Sequence, residues 1–172
     1  MSYSISVCSE PPDREQMTAL LEDYYDLMID RIEAMGGKRP TGGDAIAEFW
    51  DNIADYLPPK GALLLVQDEE GTLMGCSMLK SLGGGKGKLK RLYVEPQLRG
   101  TGLGRKMIRQ RLLIAREMGL SELMADTLRA NKEMQGLYVE LGFEEIPLDP
   151  DSTSYQFLPE LAPMMLFYRL SL

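Results

Sequence analysis

The segment Arg99–Arg105 contains three glycines and an arginine at each end, and it follows an apolar run that ends at Val94. Glycine lets the backbone approach an anion closely, and a helix that begins inside the segment directs unpaired N–H groups at that anion. The two arginines add positive charge on either side. These residue types in this order indicate a site for phosphate groups. A tight strand-to-helix connection without a ligand is the alternative, because such a connection also needs positive φ.

Two common nucleotide-binding patterns do not fit this part of the chain. In the pattern Gly-x-Gly-x-x-Gly, the third glycine would stand at position 105, but the chain has it at position 104. A second glycine-rich stretch, Gly83–Lys88, lacks the P-loop spacing, which needs a glycine five residues before a Gly-Lys pair that Ser or Thr follows. We therefore interpret Gly83–Lys88 as a flexible hairpin loop.

Charge is distributed unevenly along the chain. The net charge is -7, but Lys86–Arg116 holds ten lysines and arginines against the single acid Glu95, which makes this window +9. The rest of the chain, with 9 basic and 25 acidic residues, sums to -16. This distribution disfavours nucleic acid as a partner and favours a small ligand that carries phosphate. We expect Arg109, Arg111 and Arg116 to lie on the solvated face of a helix.

Several other chemistries are excluded or disfavoured by composition. The chain has no histidine, which removes Ser-His and Cys-His triads and the commonest zinc ligand. Cys8 and Cys76 lie in apolar runs without metal-ligand spacing, so we predict small buried thiols and no metal. The first residues lack the features of a secretory signal, and no apolar stretch approaches the ~20 residues that span a bilayer. We expect a soluble, cytoplasmic protein with no membrane partner.

The elements that position the glycine turn follow from hydrophobic periodicity. The 172 residues suit a single domain over 1–172, with a mixed sheet of the α/β (α+β) class. The patterns predict helices from Asp13 to Gly36, from Asp44 to Leu57, from the glycine turn to Gly119, and from a cap at Asn131 to Leu141. They predict strands near the N-terminus and at Ala62–Val66, Leu73–Leu79, Leu89–Val94, Leu123–Thr127 and Met164–Leu170, with an irregular stretch over Ile146–Pro163. In the second helix, Ile46, Phe49, Trp50 and Ile53 are predicted core residues, with a substrate cleft as the alternative.

Two ordered motifs resemble those of the GNAT superfamily of N-acetyltransferases. The first runs from Lys90 to Gly104 and reads KRLYVEPQLRGTGLG, a strand followed by (Gln/Arg)-x-x-Gly-x-(Gly/Ala). The second follows at the expected distance, with Asp126-Thr127-Leu128 and then Asn131 to Phe143, which ends in Leu-Tyr-x-x-x-Gly-Phe. The chain is therefore identified as a member of this superfamily from residues that span about Leu89 to Phe143.

The resemblance implies a mostly antiparallel sheet, flanked by helices, whose fourth and fifth strands splay apart around the pantetheine arm of acetyl-CoA. It implies acetyl transfer to a primary amine of a small molecule or peptide by direct attack in a ternary complex. A homodimer is common in such proteins. The implied coenzyme-binding residues are Leu92, Tyr93, Val94, Arg99, Gly100, Thr101, Gly102, Leu103, Gly104, Arg105, Asn131 and Tyr138. Tyr138, beside the sulfur, is also the implied catalytic residue.

The sequence departs from the family pattern at the residue expected to accept a proton. Many members carry a glutamate two residues before the Lys-Arg pair, and this chain has Lys88 there. An alkyl amine with a pKa near ~10.4 is protonated at neutral pH, so some group must deprotonate it. Asp126, Glu33, Glu48 and bulk water are the candidates. Because of Lys88, a non-catalytic acyl-CoA sensor stays an alternative, as does a nucleotide-binding module that uses the same turn.

Overall fold

A computed structural model describes residues 2–41 and 43–172, and in this part of the chain seven strands form one sheet. The strands are β1 (Ser4–Val7), β2 (Gly61–Gln67), β3 (Leu73–Gly83), β4 (Lys86–Val94), β5 (Glu122–Leu128), β6 (Glu144–Ile146) and β7 (Met165–Ser171). Their order across the sheet is β1-β2-β3-β4-β5-β7-β6. All neighbours pair antiparallel except β4 and β5, which pair parallel. The prediction of a mixed, mostly antiparallel sheet is confirmed.

Helices cover both faces of this sheet. They are α1 (Arg14–Ala34), α2 (Gly43–Asp51), α3 (Leu103–Glu117), α4 (Lys132–Glu140) and α5 (Thr153–Phe157), with short 3-10 turns at Ile53–Tyr56, Pro96–Leu98 and Pro159–Met164. The side chain of Asp13 accepts the Gln16 N–H at 2.9 Å, which caps α1 as the sequence predicts. No helix in the described part of the chain is long and apolar enough to cross a membrane.

The fourth and fifth strands separate at the centre of the sheet. They pair only where Lys86–Lys88 lies beside Glu122–Met124, and β4 then continues for six residues to Val94. The far edge of β5 is fully occupied, because β7 pairs with it from Glu122 to Leu128. The predicted splay is therefore confirmed, and it leaves a wedge-shaped gap between β4 and β5 that opens toward the glycine turn.

A β-bulge lies at the point where β4 leaves β5. Cys76 pairs with Tyr93 and Met78 pairs with Lys90, so two residues of β4 lie opposite the single residue between them on β3. One of the two, Arg91, has a positive φ of 47°. This bulge turns both Lys90 and Arg91 toward the α1 and α2 side of the sheet, where their side chains contact Tyr56.

Arg111 supports this bulge from the opposite face. Its Nη1 donates to the Met78 carbonyl at 2.9 Å and to the Lys90 carbonyl at 3.4 Å, and the residue is fully buried. The prediction that Arg111 is solvated is therefore wrong, whereas Arg109 and Arg116 are exposed as expected. Arg111 lies on the same helical stripe as Ile108, Leu112 and Ala115, which are buried. The position of Arg111 on this stripe therefore indicates burial, although its charge suggests exposure to solvent.

Three apolar clusters hold the helices on the sheet; the smallest contains Ile32, Leu128 and Leu161, and the two larger ones lie on opposite faces. One joins β2, β4 and β5 to α3 and α4, and the other joins β2 and β3 to α1 and α2. Phe49 is fully buried in the second cluster, and Ile46, Trp50 and Ile53 pack against it. Their assignment to the core is confirmed. Cys76 is also buried as predicted, whereas Cys8 is only half-buried.

Three predicted boundaries are wrong. The second helix ends at Asp51 and resumes as a 3-10 turn at Ile53–Tyr56, so it does not run unbroken to Leu57. The predicted hairpin at Gly83–Lys88 is confirmed, but its loop is shorter than predicted: β3 reaches Gly83 and β4 starts at Lys86, which leaves a tight two-residue turn with positive φ at both glycines. The stretch Ile146–Pro163 contains α5 and a 3-10 turn. An apolar cluster and polar contacts, which sequence periodicity does not show, hold the stretch against the sheet.

Candidate active site

The gap between β4 and β5 opens into a cavity of about 770 Å³. Residues of α3 and α4 line it on one side of the sheet, and residues of α1, α2 and α5 line it on the other. A cavity of this size accommodates a small-molecule ligand. Of the residues that the sequence predicts for coenzyme binding, all but Thr101 line it. Because the lining comes from both faces, two ligands can approach one another through the sheet.

The glycine turn forms one end of this cavity. Gly100 and Gly102 have φ of 76° and 83°, and Gly102 is the N-cap residue of α3. A Cβ placed on either glycine would meet no atom within 4 Å, so the space in front of the turn is open. The first N–H groups of α3 have no partner within the helix, and they supply donors that suit a diphosphate.

The polar side chains in and beside the turn contact other groups of the protein. Arg99 donates through Nε to the Val94 carbonyl at 3.1 Å, and its guanidinium lies 5.5 Å from the centre of the Tyr93 ring. Arg105 pairs with Glu140 at 2.7 Å on the surface. Thr101 donates its hydroxyl to the Leu98 carbonyl at 2.7 Å, which fixes the turn from outside the cavity.

The exposed edge of β4 presents backbone groups to the gap. The Glu95 N–H donates to the Met74 carbonyl at 2.9 Å, so Gly75 and Val94 form a pair without hydrogen bonds between them. The N–H of Val94 therefore points away from β3 and into the gap. An extended ligand arm in the gap can pair with this edge in the way that another strand would.

Tyr138 lines the same cavity from α4. Its ring packs between Phe143 and Tyr168, with ring centres 5.1 and 5.2 Å away. Burial, chiefly, raises the pKa of Tyr138 to about 12, and the nearby carboxylate of Asp126 acts in the same direction. The phenol is therefore protonated at physiological pH, and it can donate a hydrogen bond to an anionic atom in the cavity.

Asn131 stands at the N-cap position of α4, but its side chain makes no capping hydrogen bond. The carboxamide accepts from Arg31 of α1, and it donates to the Thr127 hydroxyl at 3.0 Å. The prediction of a side-chain cap at this residue is wrong. Arg31 also pairs with Glu133, so these contacts tie α1 to α4 beside the cavity.

On the α1 and α2 side, Lys88 lies between two carboxylates. Its Nζ is 2.8 Å from Asp126 Oδ2 and 3.0 Å from Asp149 Oδ2, with only 4% of the side chain exposed. The Ser152 hydroxyl also donates to Asp126 Oδ2. Lys88 therefore neutralises Asp126 and anchors the segment that carries Asp149 and Ser152.

The other carboxylates proposed as bases are paired as well. Glu48 lines the cavity, but it accepts from Arg91 Nη2 at 2.9 Å. The same guanidinium donates to the hydroxyls of Tyr25 and Tyr56 at 2.8 and 2.9 Å. Glu33 pairs with Arg39 at 2.6 Å on the surface and is not part of the cavity lining. Each of the three carboxylate candidates thus contacts a cation.

The sequence assigns no role to several residues that the cavity brings together. Lys90 and Arg91 belong to the recognised motif, but only the bulge shows that both face the α1 and α2 side. Asp149 and Ser152 lie behind the cavity lining, where they contact Lys88 and Asp126, and they come from a stretch that lacks periodicity. Tyr24 falls on the apolar pattern of α1 and Tyr25 follows it directly, but helical periodicity does not distinguish a core face from a cavity wall.

The sheet with its central gap, the glycine turn and the cavity define an acyltransferase of the GNAT class. Residues 17–143 match the model of the Acetyltransferase (GNAT) family, and the chain belongs to this family of N-acetyltransferases. An uncharacterised N-acetyltransferase of Schizosaccharomyces pombe is 30% identical over 144 residues, which are 83% of each chain.

Solved structures show the same fold at low identity. A GNAT-family acetyltransferase of Staphylococcus aureus has a TM-score of 0.71 at 18% identity, and the match covers 98% of this chain and 99% of that one. A Bacillus subtilis acetyltransferase, solved in complex with CoA, has a TM-score of 0.65 at 16% identity and covers 99% of both chains.

Proposed function

We propose that this protein transfers the acetyl group of acetyl-CoA to a primary amine of a small molecule or peptide, by direct attack in a ternary complex. The observation that carries the proposal is the cavity, which joins the glycine turn to the α1 and α2 side through the gap in the sheet. The CoA complex of the Bacillus subtilis relative supports the choice of coenzyme. The same proposal includes a single acyltransferase domain over 1–172, located in the cytoplasm.

The coenzyme would occupy the gap and the turn. The diphosphate fits the N–H groups at Arg99–Gly104 and the guanidinium of Arg99, and the pantetheine arm fits the exposed edge of β4 at Leu92, Tyr93 and Val94. Asn131 also lines the cavity and would contact this arm. Acetyl-CoA supplies an activated acyl group as its thioester.

Two donors would assist the transfer. Attack on the thioester places negative charge on the carbonyl oxygen and then on the sulfur, so each atom needs a nearby donor. The Val94 N–H points into the gap and can polarise the carbonyl. The protonated Tyr138 hydroxyl can stabilise the departing thiolate, and with a pKa of about 12 it does so better by hydrogen bonding than by full proton transfer.

A non-catalytic acyl-CoA sensor is the second candidate. It is favoured by Lys88, which stands where many family members carry a glutamate and which pairs with Asp126 and Asp149. A sensor would bind acetyl-CoA tightly and release no free CoA across a panel of amino acids, polyamines and aromatic amines. Release of CoA thiol with any amine in this panel decides for the transferase.

Acetyl-CoA at about 100 times its Kd should raise the Tm by about 5–10 °C, because binding to the native state adds about 2.7 kcal/mol of stability. ATP and NAD at the same concentration should give a much smaller rise, since neither carries the pantetheine arm that fits the gap. The measurement is a thermal-shift assay with the three ligands and free CoA. An equal response to ATP or NAD but none to CoA would indicate a nucleotide-binding module.

Gly102→Val should weaken acetyl-CoA binding about tenfold. Gly102 has a φ of 83°, which costs a residue with a side chain roughly 1–2 kcal/mol, and relaxation of that strain displaces the first N–H groups of α3. Isothermal titration calorimetry gives the Kd directly. Gly36→Val is the matched control, because Gly36 has a φ of 84°, an open surrounding and no place in the cavity lining. Equal loss of affinity in both variants would mean that the effect is general destabilisation.

A further inference from the structure

We infer that Lys90 is the base that removes a proton from the acceptor amine. The inference rests on the proposed function and deepens it, because it assigns the step for which the family glutamate is absent. Four observations carry it: the position of Lys90 at the closed end of the gap, its place in the cavity lining, the pairing of every rival carboxylate, and the electrostatic surroundings of its amine.

Lys90 is the second residue beyond the last paired residue of β4. Its side chain lies on the α1 and α2 side, where Nζ is 3.4 Å from the Thr153 hydroxyl and 5.9 Å from the centre of the Tyr56 ring. Lys90 and Tyr138 line one cavity from opposite faces of the sheet. An amine that enters from the α1 and α2 side therefore meets Lys90 before it reaches the gap.

The carboxylates that line the cavity are weaker candidates for the base than Lys90. Asp126 Oδ2 accepts from both Lys88 and Ser152, and Glu48 accepts from Arg91. A carboxylate that is held by a cation is a weaker base than a free one. In the part of the chain that the structure describes, Lys90 Nζ forms no ion pair, and its hydrogen bond to Thr153 leaves the amine available for another contact.

The charged groups around Lys90 come from four elements. Arg91 of β4 and Lys80 of β3 disfavour its protonated form, whereas Glu48 of α2 and Asp126 of β5 favour it. Burial exceeds all of these, and it lowers the pKa of Lys90 to about 7. A base is most effective when its pKa lies near the operating pH, so a large fraction of Lys90 is neutral and able to accept a proton.

The proton balance of the step is complete. Lys90 Nζ takes one proton from the acceptor ammonium, and the lone pair that this frees forms the N–C bond to the acetyl carbonyl. The C–S bond breaks, and the sulfur leaves with the bonding pair. The new amide nitrogen loses its second proton and the sulfur gains one, so CoA departs as the thiol. Lys90 then returns its proton to solvent.

The test is the pH dependence of kcat/KM with acetyl-CoA and whichever amine of the panel is acetylated fastest. The wild-type protein should show a limb that rises with pH through an apparent pKa near 7, because the neutral amine of Lys90 is the active form. Lys90→Met and Lys90→Arg should both lose this limb, with kcat/KM about 100-fold lower at pH 7.5. Lys86→Met, on the same strand but outside the cavity lining, should keep it.

Competitive labelling of lysines with dinitrofluorobenzene, read by peptide mass spectrometry, provides a second measurement that needs no acceptor. Half-maximal labelling of Lys90 near pH 7 agrees with the inference, and a midpoint near 10 overturns it. Three other results would also overturn it: Lys90→Met keeps the limb, Asp126→Asn loses it instead, or Lys90 carries a stable acetyl group. If no amine releases CoA from the wild-type protein, the proposed function and the inference are overturned together. If the wild-type protein turns over and Lys90→Met keeps the same limb, the inference alone is overturned.

Discussion

Tyr138→Phe should lower kcat by about 100- to 1,000-fold, while the Kd for acetyl-CoA stays within about twofold. The hydroxyl is the only part of the side chain that changes, and its proposed partner, the thiolate sulfur, carries full charge only late in the reaction. Loss of one donor to such a charge has this magnitude in other enzymes. The ring itself is 4% exposed and packs against Phe143 and Tyr168, and phenylalanine preserves those contacts.

The measurement pairs steady-state kinetics with calorimetry of acetyl-CoA binding. Tyr168→Phe is the matched control, because its ring lies 5.2 Å from that of Tyr138 and is equally buried, yet it is outside the cavity lining. We expect this control to keep kcat within about twofold. Full activity in Tyr138→Phe would show that the assigned role is wrong, and a parallel loss of coenzyme affinity would assign the residue to binding.

Tyr138 should not produce a pH limb in the physiological range. Its pKa is raised to about 12, so the hydroxyl keeps its proton throughout pH 6–9. Lys90, with a pKa lowered to about 7, titrates within that range. The two groups therefore give separable signatures: substitution of Tyr138 lowers the whole pH profile, and substitution of Lys90 changes its shape.

The coenzyme end of the site could be predicted from sequence because its determinants are local. The glycines at 100, 102 and 104 and the helix that follows are contiguous, and the conformation that they need depends on backbone chemistry more than on distant contacts. The same holds for the cap at Asp13. Fold class followed from periodicity and from the family motifs, which together span the centre of the sheet.

The acceptor end could not be predicted, because its determinants are tertiary. Lys88 meets Asp126 and Asp149 across 38 and 61 residues of sequence, and the second contact lies in a stretch without periodicity. Lys90 faces the cavity with Arg91 because of a bulge that the strand pattern does not reveal. The prediction that Arg111 is solvated is wrong because it follows from charge alone, whereas the position of Arg111 on the apolar stripe of α3 indicates burial.

Lys88→Met should destabilise the protein by about 3–5 kcal/mol, the cost of removing one partner from a buried ionic network. The lysine is the cation that Asp126 and Asp149 share, and all three side chains are largely buried. Methionine fills similar space, so the loss comes from uncompensated charge and not from a cavity. Urea unfolding, followed by circular dichroism, measures the change.

The triple variant Lys88→Met, Asp126→Asn, Asp149→Asn separates charge from packing. Because it leaves no uncompensated charge buried at this site, it should recover most of the lost stability. Lys86→Met on the same strand should change stability by less than about 0.5 kcal/mol, since Lys86 is exposed and its pair with Glu122 at 3.6 Å is long. If Lys88→Met is no less stable than Lys86→Met, then Lys88 does not hold the α5 segment against β5. Its replacement of the family glutamate would then need an explanation in acceptor binding.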